Sequence, residues 1–91
     1  MAEKREPFLV LGQTYFIMGQ KDNWVGRLVE IGPFHVILEE ASWVANCGRL
    51  HEFIAKGKTA EMEIEPVGTM STPHHGATII DWPHKLFTKA V

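Results

Sequence analysis

At 91 residues with a formal net charge of −2, the chain has room for one modest core and lacks the excess of Lys and Arg that drives binding to a phosphate backbone. Hydrophobic residues at 45% and charged residues at 22% exclude wholesale disorder, and the lone Cys47 excludes an intrachain disulfide and a cysteine-based zinc knuckle. Duplex nucleic acid is therefore not an expected partner, whereas a small anion needs only a few local cations and backbone N–H groups.

Residues 1–7 are charged and end in Pro7, and a loose arm is expected there ahead of a single domain over 8–91. No apolar stretch of signal-peptide length follows those charges. No run approaches the roughly 18 apolar residues of a membrane span either, so no membrane partner is expected, and the lone Cys47 fits a reducing, cytoplasmic setting.

A first strand is expected over 13–18, where Thr14, Tyr15, Phe16 and Ile17 are β-branched or aromatic. The polar stretch Gly19-Gln20-Lys21-Asp22-Asn23 has the length and turn formers of a hairpin loop. Residues 24–31 then alternate, with Val25, Arg27, Val29 and Ile31 on one side and Trp24, Gly26, Leu28 and Glu30 on the other. A charge on an apolar strand face must reach water, a carboxylate or a ligand, so Arg27 either snorkels past the rim or belongs to a site. Gly26 leaves space for another backbone or ring to approach.

Gly32-Pro33 predicts a tight turn into a third strand over 34–39, with His35 exposed on it. Residues 40–44 are expected to leave the sheet, and Asn46-Cys47-Gly48 to turn the chain into a helix over 49–56. There Leu50, Phe53 and Ile54 form one stripe and Gly57 ends the helix. Residues 59–66 alternate again, Met62 and Ile64 inward and Glu61, Glu63 and Glu65 outward, as a protected edge strand. A loop over 67–76, a last strand over 77–82 and a tail packed down by Leu86 and Phe87 complete the chain. The pattern predicts a mainly all-β fold, a small five-stranded antiparallel barrel or roll, with one short α-helix across an open end.

Trp24-Val25-Gly26-Arg27, Leu38-Glu39, Ala41-Ser42-Trp43-Val44, Gly48-Arg49-Leu50-His51-Glu52-Phe53 and Trp82-Pro83-His84 together resemble a family of small uncharacterised bacteriophage and prophage proteins. The resemblance spans Gln13 to His84. It implies a phage origin and carries no agreed activity; by size and context, it implies a virion part, an inhibitor of a host enzyme, or an oligomeric sponge for nucleotide signals of antiviral defence.

Three constellations carry possible chemistry. Trp24, Trp43 and Trp82 offer stacking surfaces, and Arg27, Arg49 and His51 offer donors for phosphates or base edges. Arg49 sits where a turn meets a helix, whose first N–H groups favour an anion, and Ser42 and Asn46 add polar contacts. The structural alternative is that Trp43 anchors the helix, Arg49 pairs with a glutamate and Trp24 packs a core or rim. The loop over 68–76, which holds His74 and His75, is small and polar and can present backbone N–H groups and hydroxyls to a ligand as a lid, or merely connect strands. Metal binding by His74, His75, His84, Asp81 and His51 is poorly supported by their spacing, and Cys47 with His51 lacks a third orienting group.

The functional expectation is a non-enzymatic protein, without cofactor or metal, that sequesters a small nucleotide-derived ligand as a homo-oligomer. Trp24 or Trp43 stacks on the base, Arg27 and Arg49 hold phosphates, Ser42 and His51 complete the polar set, and the His74-His75 loop closes over the site. The oligomer follows from large apolar side chains in excess of what a chain this small hides. The alternative is a protein-binding phage factor, an inhibitor of a host enzyme or a minor virion component, using the same aromatics as an interface.

Overall fold

The computed structural model describes residues 9–91, and the arm expected over 1–7 lies outside them. Strands β1 (Thr14–Met18), β2 (Asn23–Ile31) and β3 (His35–Asn46) run into helix α1 (Leu50–Lys56), followed by β4 (Glu63–Pro73) and β5 (Thr78–Asp81). The five strands form one antiparallel sheet in the order β4-β3-β2-β1-β5. It is open, with β4 and β5 as its edges, so the mainly-β, one-helix expectation holds and a closed barrel is not formed.

Both hairpins form where the glycines place them. Gly19 N–H donates to the Asp22 carbonyl at 2.9 Å, and Gly32 N–H to the His35 carbonyl at 2.7 Å. Strand β1 lies between β2 and β5, and its unbroken run Tyr15-Phe16-Ile17 is buried on both faces. Tyr15 and Ile17 pack with Leu28, Val36, Leu38 and Ala41. Phe16 packs on the other side with Val25, Val44, Phe53, Ile64 and Trp82. The sheet is thus the middle layer between two small cores, and β2 feeds both, one through Leu28 and the other through Val25.

Strand β3 does not leave the sheet at Glu40. From Arg27↔Glu39 to Val25↔Ser42 the register advances two residues on β2 and three on β3, so β3 carries a bulge there. Its residue Glu40 has φ 50, in the left-handed region that side chains disfavour. The extra residue lets Leu38 and Ala41 enter the same core, while Val44 enters the other. Arg27 Nη1 donates to Glu40 Oε2 at 2.7 Å across the bulge. Glu40→Ala and Glu40→Gly both remove that ion pair, and only glycine relieves the backbone. The glycine variant is expected to be the more stable of the two by about 1 kcal/mol in urea titrations; equal midpoints would show that the bulge is unstrained.

Strand β4 likewise runs further than expected, through most of the predicted loop. Gly68, at φ 89, absorbs a second bulge that leaves Val67 between the pairs Ala41↔Gly68 and Ser42↔Pro66. Pro66 and Pro73 are tolerated because β4 is an edge strand. With these bulges the far halves of β2, β3 and β4 turn over the face that carries Tyr15 and Ile17, and so Val36, Leu38 and Met70 reach them. Glu61, Glu63 and Glu65 are exposed and Ile64 is buried, as the alternation predicts.

The opposite face is covered by α1 and the tail, so the helix lies on the sheet and not across a barrel mouth. Phe53 is fully buried, its ring 5.2 Å from Phe16 and 4.8 Å from Trp82, while Leu50 is largely outside the stripe at 38% exposure. Gly57 ends the helix at φ 77, its N–H donating to the Phe53 carbonyl at 2.7 Å. The tail starts beside β1, where Trp82 N–H donates to the Thr14 carbonyl, and finishes at the other edge, where Ile64 and Val91 exchange backbone hydrogen bonds. His84 Nε2–H donates to the Ile54 carbonyl at 2.8 Å, which fixes its tautomer and ties the tail to the helix end.

Candidate functional site

Because the far half of the sheet folds back, the end of β4 comes to stand over the β1–β2 loop. Between them is a cavity of about 330 Å³ lined by Gln20, Lys21, Asp22, Trp24, Ser71, Thr72 and His75, together with Gly19 and Pro73. Trp24 is half-buried: part of its ring packs against the Tyr15–Ile17 core, and part faces the cavity. Its register places it in a row across the sheet, Ile79, Ile17, Trp24, Trp43 and Glu65, all on one face. Trp43 is therefore the cross-strand neighbour of Trp24, half-buried in its turn.

The two adjacent histidines have divided roles. His74 donates its backbone N–H to the Phe34 carbonyl at 3.0 Å and its Nε2–H to the Gly32 carbonyl at 2.9 Å, pinning the β4–β5 connection to the β2–β3 turn. His75, the next residue, is exposed and lines the cavity. On the far side of the same connection, a Cβ at Gly76 would lie 2.9 Å from the Gln20 amide nitrogen, so this segment rests directly on the β1–β2 loop. His74 is thus a structural staple, and the lid expected over 68–76 reduces to the short link between β4 and β5.

The remaining expected site residues lie elsewhere. Arg27 is engaged by Glu40 at the bulge. Ser42 is fully buried between Val25 and Pro66 in the register, and its Oγ has no hydrogen-bond partner among the described residues. An unsatisfied buried hydroxyl costs about 1–3 kcal/mol; with the residue fully enclosed by protein, the hydroxyl is out of a ligand's reach in this conformation. Arg49 and His51 are exposed at the start of α1, which covers the face opposite to Trp24. Arg49 occupies the N-cap position without a side-chain cap and borders a groove that also holds Glu52 and Glu61. Two carboxylates beside one guanidinium do not favour a phosphate there.

Trp82 is 2% exposed and stacks on nothing but the protein, with Phe16, Phe53, Phe87 and His84 around it. Cys47 is half-buried, its Sγ 3.4 Å from the Gly48 carbonyl, and Thr59 Oγ1 donates to the Cys47 carbonyl at 2.8 Å. Among the described residues, no three of His, Cys, Asp and Glu are grouped as a metal would require. Nor is any described helix long and apolar enough to cross a membrane.

Of the eight residues expected to form one site, the fold brings Trp24 and His75 to one cavity, with Trp43 beside Trp24. Lys21, Gln20 and Asp22 were not expected there, whereas Ser71 and Thr72 belong to the stretch 68–76 that was expected to present hydroxyls to a ligand. The signal for Lys21 and Gln20 is present in the sequence, since a polar hairpin loop directly precedes a tryptophan; Ser71 and Thr72 bring the expected hydroxyls, but from the end of strand β4 and not from a loop. Comparison of the chain with protein-family models, with curated proteins and with solved structures gives no match.

Proposed function

We propose that the protein binds and sequesters a small nucleotide-derived ligand, without catalysis, in the cavity beside Trp24. The observation that carries this reading is the combination there of a half-exposed indole, one ammonium (Lys21), one imidazole (His75), an amide (Gln20) and two hydroxyls (Ser71 and Thr72). An indole face stacks on any base for about 1–3 kcal/mol, and the polar groups suit a base edge, a ribose and one phosphate. The volume, near the lower end of ligand pockets, and the carboxylate of Asp22 both favour a nucleoside or mononucleotide over a polyphosphate. Lys21 and His75 take the roles expected of Arg27 and Arg49. In the phage setting that the resemblance implies, such a protein acts in the host cytoplasm as an anti-defence sponge.

The test is calorimetric titration with adenosine and guanosine monophosphates, their cyclic forms and ADP-ribose. Trp24→Ala is expected to weaken the best ligand about tenfold or more, and Lys21→Gln to weaken phosphate-bearing ligands selectively. Arg49→Ala should leave affinity unchanged. If none of these ligands binds, or Trp24→Ala binds as tightly as the wild type, the reading fails.

A second reading, a protein-binding phage factor or a self-associating subunit, is favoured by a different observation. Val10, Leu11, Ile31 and Phe34 are large, apolar and exposed, Phe34 at 68%, and Gly12 N–H bonds to the Leu28 carbonyl, which brings the first two beside the far end of β2. Sedimentation equilibrium of Phe34→Ser against the wild type separates self-association from a hetero-partner.

A further inference from the structure

On the face opposite to Trp24, the tail leaves a shallow groove of about 420 Å³ against the end of α1 and the start of β4. Its floor is apolar, made by Met62, Leu86 and Phe87, and three lysines, Lys58, Lys85 and Lys89, stand around it. Among the described residues no acidic side chain lines it. That is one third of the chain's nine Lys and Arg at one place in a protein whose net charge is negative. From Trp82 to Val91 the sequence has two lysines, a histidine and no acidic side chain, and Glu61, next to Met62, borders the groove beside Arg49 and not this one. None of the three lysines makes an ion pair among the described residues.

Phe87 supplies the aromatic part of the floor. Its ring lies parallel to that of Phe53, 6.4 Å between centroids, and it is half-buried, one face on the core and the other toward the groove. Ammonium groups without an ion pair among the described residues, set around an exposed apolar floor, match one kind of ligand: an anionic head that the lysines neutralise, joined to an apolar body that covers Phe87, Leu86 and Met62. A bare anion leaves the floor wet, and a neutral apolar body leaves the charges without a partner.

We infer that this groove is a second binding site, for a carboxylate or phosphate carried on a short acyl or aryl body. The same chemistry is offered by a free amphiphile and by the headgroup and first methylenes of an anionic lipid. The site is independent of the cavity beside Trp24, since the two share no residue and lie on opposite faces of the sheet.

Amide NMR titrations of the full chain test it, using decanoate, inorganic phosphate and decyl maltoside as probes. Decanoate is expected to give saturable shifts at 57–58 and 84–89, with the other two probes at least about tenfold weaker. The triple variant Lys58→Gln, Lys85→Gln, Lys89→Gln should keep the wild-type spectrum elsewhere and bind decanoate at least about tenfold more weakly, each lost charge-assisted contact contributing. Absence of saturable shifts, equal affinity for the neutral maltoside or for phosphate alone, or undiminished binding by the triple variant would each overturn the assignment. Co-sedimentation with phosphatidylglycerol vesicles and not with phosphatidylcholine vesicles would assign the lipid headgroup as the source, and decanoate binding without vesicle binding would assign a free amphiphile.

Discussion

Trp82→Ala is expected to leave the protein largely unfolded at physiological temperature. The indole is the largest side chain buried in the structure, and it touches the sheet, the helix and the tail at once. Its ring centroid lies 4.8 Å from Phe53, 4.9 Å from His84, 5.9 Å from Phe87 and 6.1 Å from Phe16. Its indole N–H reaches the Lys85 carbonyl at 3.4 Å, and the Thr14 hydroxyl donates to its own backbone carbonyl. Truncating a buried aromatic of this kind costs about 3–5 kcal/mol. A small domain has only about 5–15 kcal/mol in total, and one this short stands toward the low end. The loss also falls where nothing can collapse to refill it, because the helix above has only two turns and the tail has no regular structure of its own. Trp82→Phe keeps most of the volume and should lose far less. Urea titrations followed by circular dichroism check both variants; a wild-type midpoint for Trp82→Ala would mean that helix and tail are not held by this cluster. Trp24→Ala, at a half-buried position, is expected to remain folded, and that separates the packing tryptophan from the one assigned to a ligand.

What was legible in the sequence follows the range of each signal. Turns and alternation are local, so both hairpins, the helix with Gly57 at its end and the outward row Glu61, Glu63 and Glu65 could be read directly. Bulges break the period of two that strand reading depends on. Glu39-Glu40 looks like an exit from the sheet because two consecutive charges cannot both face a core, yet one extra residue at Glu40 restores the inward phase at Ala41. Gly68 with two flanking prolines reads as loop for the same reason, although an edge strand accommodates all three. The site was less legible than the fold. Trp24 and Arg49 fall within one dense stretch of sequence, and the sheet separates them, with the cavity on one face and α1 on the other. The pair His74-His75 gives no hint that one imidazole is spent on the Gly32 carbonyl. Lys21 reads only as a loop charge until β4 is placed above it.

Gly26→Val puts local preference and packing in direct opposition. In mid-strand, with Tyr15 opposite, valine is the better β residue, by up to about 1 kcal/mol on propensity alone. A Cβ at Gly26, however, would sit 3.0 Å from Leu38 Cβ, 3.1 Å from Ala41 Cα and 3.2 Å from Ala41 Cβ, inside the usual contact distance for all three. The crowding atoms are backbone or the first side-chain carbon, so no rotamer change relieves them. They are there because the bulge at Glu40 swings Ala41 across β2, and β3 then turns the far half of the sheet over its own face. Overpacking of this kind costs about 1–3 kcal/mol, and it should outweigh the propensity gain. Gly26→Ala, which adds only the Cβ, should be destabilised with the same sign and a smaller size. Ala41→Gly should recover part of that loss in the double variant, with a coupling of at least about 0.5 kcal/mol measured by the double-mutant cycle. Should Gly26→Ala instead prove more stable than the wild type, β2 and β3 do not approach so closely at this corner. The far half of the sheet would then stand further from Trp24, and the cavity between the β1–β2 loop and the end of β4 would be wider than a single nucleoside needs.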